Sequence, residues 1–215
     1  MKALIFYGGW EGHTPKESSE IIHKALEEDG FQVERHDHQE CLDDAEALKA
    51  LDLIVPVWTM GKLEGDRSKN LLEAVKSGVG FGGFHGGAGD AFRGNVSYEW
   101  MVGGLFLGHP HVGDYQVRLT DEKHVITDGM AKTFPYNSEQ YYMAVDPGVT
   151  VLADTIYQHE GKQIVMPVVW VKQWGAGRVF YSALGHVAQE FLDYPEVLKM
   201  TVRGMRWAAE GKPKA

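Results

Sequence analysis

At 215 residues, 44% of them hydrophobic and 24% charged, the chain can bury one ordinary core and is too apolar to stay disordered, so a single domain over 1–215 is expected. A formal net charge of −9 carries neither the basic footprint of a nucleic-acid binder nor that of a protein held on an anionic membrane. The lone Cys41 rules out a disulfide framework; with no signal-peptide pattern at the start and no apolar run of the roughly 18 residues a membrane helix needs, a cytoplasmic protein is expected.

In chain order, the first half alternates strand and helix. Lys2 to Tyr7 is an apolar run closed by Gly8-Gly9, as a buried strand would be. Thr14 as cap and Pro15 at the first position open a helix that buries Ile21, Ile22, Ala25 and Leu26 and ends at Gly30. Phe31 to His36 alternates like a strand, Asp43 to Leu51 reads as a short helix, and Asp52 to Trp58 is a β-branched strand. Asp66 to Ser77 is a helix closed by Gly78, and a strand from Val79 runs straight to His85. Strands alternating with helices imply βαβ units and a parallel sheet. The second half changes character. Short strands are expected at Tyr115–Leu119, Tyr141–Asp146, Val149–Tyr157, Gln163–Val171 and Arg178–Ala183, with a hairpin turn at Trp174-Gly175-Ala176-Gly177. A last helix from Pro195 to Ala209 carries Leu198, Val202, Met205 and Ala209 on one face, followed by a tail over 211–215 that should fray. The fold class is therefore α/β: a flavodoxin-like three-layer sandwich with a mainly parallel sheet and an antiparallel C-terminal edge. The apolar terminal helix either covers that sheet or serves a homodimer contact.

The chemistry concentrates at strand ends. Val79-Gly80-Phe81-Gly82-Gly83-Phe84-His85-Gly86-Gly87-Ala88-Gly89-Asp90 is a strand that breaks into a glycine-boxed turn and holds out one imidazole, like a nucleophile elbow with histidine in place of Ser or Cys. His13 follows the first strand and His186 follows the last, and loops after parallel strands meet at one sheet edge. His85, His186 and Glu139 are the candidate catalytic groups; Trp10, His13, Trp58, His109 and Tyr142 are candidates for contacting substrate. His13, His85, His109 and His186 form a candidate set of ligands for a divalent metal, an acid/base pair being the alternative. Glu190, four residues after His186, can orient that imidazole. His36, His38, His111, His124 and His159 read as surface or structural, and nothing near Cys41 would activate its thiol. With no GxSxG, no GxxxxGK[ST] and no GxGxxG in the right context, neither a serine hydrolase nor a nucleotide cofactor is expected.

The stretches Trp10-Glu11-Gly12-His13-Thr14-Pro15, Gly83-Phe84-His85-Gly86-Gly87, Gly104-Leu105-Phe106-Leu107-Gly108-His109-Pro110, His124-Val125-Ile126-Thr127-Asp128-Gly129, Ser138-Glu139-Gln140-Tyr141-Tyr142 and Gly177-Arg178-Val179-Phe180-Tyr181 through Gly185-His186 resemble the trehalose-utilisation ThuA family. The resemblance continues in order to Arg203-Gly204-Met205-Arg206-Trp207-Ala208. It implies a fold similar to class I glutamine amidotransferases. Their elbow cysteine is replaced here by His85, so amidotransferase activity is not implied. It further implies a role in the catabolism of trehalose-type sugars through 3-keto-disaccharides or 3-keto-glucosides, by histidine acid/base or metal-assisted enolisation and glycosidic cleavage. Isomerisation of keto sugars and a non-catalytic sugar-binding domain are the alternatives.

Overall fold

The computed structural model describes residues 1–212. The expected strand–helix alternation forms the first half: β1 (Lys2–Gly9), α1 (Pro15–Glu28), β2 (Gln32–His36), α2 (Ala45–Ala50), β3 (Leu53–Thr59), α3 (Gly65–Lys76) and β4 (Gly80–Phe84). Two short helices follow, α4 (His85–Gly89) and α5 (Val96–Val102). The rest is β5 (Gly104–Leu119), β6 (Thr133–Val145), β7 (Thr150–His159), β8 (Lys162–Trp174), β9 (Gly177–Ser182), α6 (Ala188–Asp193) and α7 (Pro195–Ala209).

All nine strands join one sheet in the order β2-β1-β3-β4-β9-β8-β7-β5-β6. Pairing is parallel from β2 to β9 and antiparallel from β9 to β6. The sheet is thus mixed and not mainly parallel. The expected antiparallel C-terminal part is present but is more than an edge, because β5 and β6, at 16 and 13 residues, are far longer than the short strands expected at Tyr115–Leu119 and Tyr141–Asp146. Their register shifts between Phe106 and Gly108 and between Gly108 and His111, so the ladder is bulged around Gly108. The Trp174-Gly177 turn does join an antiparallel pair, β8 and β9.

Helices cover both faces of the parallel half. On one side α1 packs against β1 to β3 and α7 against β4 and β9. On the other, α3 and α5 pack together, and Tyr98 of α5 lies edge-on to Phe81. The glycines of β4 make the first contact possible: a Cβ on Gly80 would lie 2.5 Å from the backbone of Ala208, and one on Gly82 would lie 2.6 Å from Met205 Cγ. The buried face of α7 is Val197, Met200, Thr201, Gly204, Met205, Ala208 and Ala209. Leu198 and Val202, expected inside, are only half-buried: Gly204 sets the rotation of the helix, lying where any side chain would strike the Phe180 ring. That apolar face is spent on the sheet, not on a second copy of the chain.

Thr14 also departs from expectation. Its φ is 45° and its hydroxyl does not cap α1. Instead Thr14 Oγ1 accepts the Ala188 N–H at 2.9 Å, tying the start of α6 to the start of α1. Of the tail, Lys212 is fixed by bonds from its ammonium to the carbonyls of Lys49 and Leu51, at 2.8 and 2.6 Å; the expected fraying of 213–215 lies outside the described residues. Among the described residues no helix is long and apolar enough to cross a membrane.

Candidate metal and catalytic centre

Three loops that follow parallel strands meet at one edge, as their positions after β1, β4 and β9 require. They bring His13, His85 and His186 together with Glu139 of β6, and one potential ligand atom from each lies within 4.8 Å of all the others. His85 sits at φ 42°, a strained conformation for a residue with a Cβ. Two bonds hold the elbow: its carbonyl accepts from Tyr181 Oη at 3.0 Å, and its Nδ1 lies 2.9 Å from the Ala183 carbonyl. A carbonyl can only accept, so Nδ1 carries a proton, and in the neutral ring the lone pair is on Nε2. That nitrogen is buried, has no hydrogen-bond partner among the described residues, and faces Glu139 Oε2 at 3.4 Å. Two lone pairs so placed repel unless a proton or a metal cation stands between them.

His13 is backed at Nδ1 by the Thr59 hydroxyl at 2.8 Å. Its ring lies where a side chain on residue 86 would be, since a Cβ on Gly86 would come within 2.4 Å of His13 Cε1. The glycine after the elbow is therefore room for an imidazole. Burial, reinforced by the charges of His85 and His186, pushes the His13 pKa down to about 3. Burial also lowers that of His186, with His85 adding to it. For Glu139 burial works the other way, but the contact with His85 and the charges of His186, His85 and His109 outweigh it and hold the carboxyl at about 2. Neutral imidazoles at His13 and His186 and an ionised carboxylate are the protonation states in which these groups bind a divalent cation. Such an ion fits: the unpartnered Nε2 of His85 is what it would satisfy, and the backing at Nδ1 of His13 and His85 is the outer support that metal-binding histidines ordinarily have.

Other expected residues are placed differently. His109 is outside the four-residue group but adjoins it, with Nε2 3.6 Å from Glu139 Oε1 and 43% of the side chain exposed. It lies in β5, and Glu139 is in the middle of β6 and not ahead of the strand expected from Tyr141. Trp10 stands at the rim, edge-on to His13 with ring centroids 4.8 Å apart. Trp58 packs against Gly8, Gly61 and Phe6, away from the imidazole group. Tyr142 is exposed; its neighbour Tyr141 supplies the ring, 4.0 Å from that of His85. Strand alternation puts Tyr141 on the face of Glu139, and counting by two from Glu139 would have found it. Thr59, Tyr136 and Tyr181, which support the histidines, carry no signal in the sequence. Cys41 is remote from the group, and burial pushes its thiol up to about 11. Between the imidazoles and Val57, Phe84 and Gly87 lies a void of only about 10 Å³, too small for a substrate, whereas Trp10 and His109 beside the group are exposed.

This is a histidine–carboxylate centre at the strand ends of a mixed α/β sheet, with one histidine on a strained strand-to-helix elbow. The chain belongs to the ThuA family, trehalose utilisation, which it matches over residues 2–208. It is similar in structure to a ThuA-like protein from Parabacteroides merdae, with a TM-score of 0.80 and 18% identity over 100% of this chain and 92% of that one. A ThuA-like protein from Bacteroides uniformis gives 0.79 and 21%, covering 97% and 91%. A cytoplasmic protein from Salmonella typhimurium LT2 gives 0.68 and 16%, covering 98% of each chain. No functionally curated protein matches the chain in sequence.

Proposed function

We propose that the chain is a metal-dependent enzyme of sugar catabolism that cleaves 3-keto-glycosides of the trehalose type by elimination. The observation that carries this is the buried, unpartnered Nε2 of His85 facing the Glu139 carboxylate between two further imidazoles. His13, His85, His186 and Glu139 would hold a divalent cation, which when bound supplies a Lewis acid to the substrate's ketone oxygen as charge builds there. Histidines spent on the metal cannot also move protons, and that leaves His109. It adjoins Glu139, is exposed, and is free to take the C2 proton that the neighbouring ketone acidifies. The same imidazolium then returns that proton to the departing glycosidic oxygen. The C1–O bond breaks, the C1–C2 double bond forms, and a free sugar leaves; hydration of the enone gives the 3-keto sugar. Trp10 offers an apolar face to a pyranose ring at the rim.

The test is metal analysis of protein purified without chelators, together with incubation of that protein with 3-keto-trehalose. Near-stoichiometric divalent metal, release of glucose and loss of the C2 hydrogen to solvent are expected. Metal-free protein that consumes nothing overturns the reading in favour of a sugar-binding domain, and exchange at C2 without glucose would make it an isomerase.

A further inference from the structure

The three imidazoles are each approached at Nδ1 by a different kind of group. His13 has a hydroxyl and His85 a carbonyl, while His186 Nδ1 faces Glu190 Oε1 at 4.0 Å, an ion-pair distance and not a hydrogen bond. Glu190 is 7% exposed, and a carboxylate buried that far needs donors to offset its lost hydration. They are present, and all on one oxygen. Oε2 accepts from the Tyr136 hydroxyl and, at 2.8 Å, from the backbone N–H of His186 itself. Tyr136 is fully buried in β6 and accepts the Gly185 N–H at 2.9 Å, so the phenol bridges the loop that carries His186 to the carboxylate on α6. With Oε2 saturated, Oε1 is left for the ring, and because an ionised carboxylate oxygen can only accept, it favours a proton on the ring nitrogen that faces it.

We infer that Glu190, clamped by Tyr136, is a positioning residue that fixes His186 in its Nδ1–H tautomer and turns the Nε2 lone pair toward Glu139, 3.9 Å away. Neither residue touches substrate or metal. The inference gives the centre two imidazoles of like polarity, His85 and His186, with Nδ1–H outward and Nε2 inward, set from separate parts of the chain; the Thr59 hydroxyl can take either role toward His13 Nδ1. Its consequence for metal binding rests on the reading given under Proposed function; the tautomer itself is a property of the metal-free protein.

Glu190→Gln makes the sharp test, because it keeps the shape and inverts the polarity. The amide oxygen can still accept from Tyr136 and the His186 N–H, which leaves an NH2 facing Nδ1. Ring-nitrogen NMR of metal-free, histidine-labelled protein at mildly alkaline pH, with His186 assigned by its loss in His186→Gln, reads the tautomer directly. Nδ1–H is expected in the wild type and Nε2–H in Glu190→Gln, with metal binding weakened about 10- to 100-fold in the variant. An Nδ1–H tautomer unchanged in folded Glu190→Gln overturns the inference. Should that variant not fold, Tyr136→Phe removes one donor from Oε2 and is expected to give a mixture of tautomers; a single Nδ1–H form there overturns it equally. If the tautomer inverts but no preparation holds metal, the cation reading fails and the positioning role stands.

Discussion

The parallel and antiparallel halves of the sheet contribute to the centre in different ways. The parallel half gives three histidines, each on a loop just past a strand end, where doubly wound sheets ordinarily gather ligand-binding residues. The antiparallel half gives Glu139, Tyr141 and His109 from within strands, on the face of a long bulged hairpin. In a flat sheet β6 would lie five strand spacings from β4, about 24 Å. Glu139 is instead 3.4 Å from His85, so the β5–β6 ribbon curls back over the ends of the parallel strands. One half fixes where the site is, and the other closes it and supplies its charge.

The largest break in that arrangement comes from the parallel half. His85→Ala removes the elbow imidazole; it is expected to abolish metal retention and cut turnover of 3-keto-trehalose by about 10³-fold or more, measured by metal analysis and glucose release on the same preparation. From the other half, Glu139→Gln keeps the shape and removes the only carboxylate of the cluster. Metal affinity should fall by more than about 100-fold, beyond what changes outside the ligand sphere usually cost, with competition against a chromophoric chelator as the readout. If Glu139→Gln binds metal as wild type does, the curled hairpin does not serve the site.

Smaller effects separate packing from charge. Gly86→Ala puts a methyl where the His13 ring lies; the ring must move, at a cost of about 1–3 kcal/mol in urea unfolding, and metal affinity should drop with it. Lowered pH acts on the same ring. His13 titrates near 3 when folded against an ordinary 6.5, so below about pH 6.5 the unfolded chain takes up a proton the folded one refuses. Glu139, near 2 when folded against an ordinary 4.5, adds loss of the same sign further down. Thermal stability of the metal-free protein should therefore be level above pH 6.5 and fall steadily below it. A flat profile from pH 7 to 4 would show that His13 is not held neutral by its burial.

What was legible in the sequence follows the same division. Hydrophobic alternation, helix-ending glycines and strand-end histidines are local signals, so the order β1 to β4 and the meeting of His13, His85 and His186 could be read from spacing. The curl of β5–β6 depends on pairing between residues far apart, such as Val112 with Glu139 and Tyr115 with Tyr136, which leaves no local pattern. Gly108 interrupts the apolar alternation where the β5 ladder is bulged. Thus Glu139 is legible as a candidate carboxylate but not as part of a strand, and with Glu139 outside the expected strand Tyr141–Asp146 no face can be counted from it to favour Tyr141 over Tyr142. The Tyr136–Glu190 clamp is wholly tertiary, with partners 54 positions apart.

The smallest expected effect tests whether the rim belongs to the site. Trp10 is 48% exposed, lies over Gly12 and touches His13 only by its edge, so the fold does not depend on it. Trp10→Ala should change unfolding free energy by less than about 0.5 kcal/mol, as surface substitutions usually do. If the indole stacks on a sugar, its loss should raise KM about 3- to 10-fold, the range expected of one aromatic contact, with kcat little changed because the contact is equal in ground and transition states. Tyr142→Ala provides the control: the ring is as exposed but sits on the opposite face of β6 from Glu139, and its removal should leave both constants alone. Equal effects from the two would mean that substrate does not enter past Trp10, since only one of these rings borders the imidazoles.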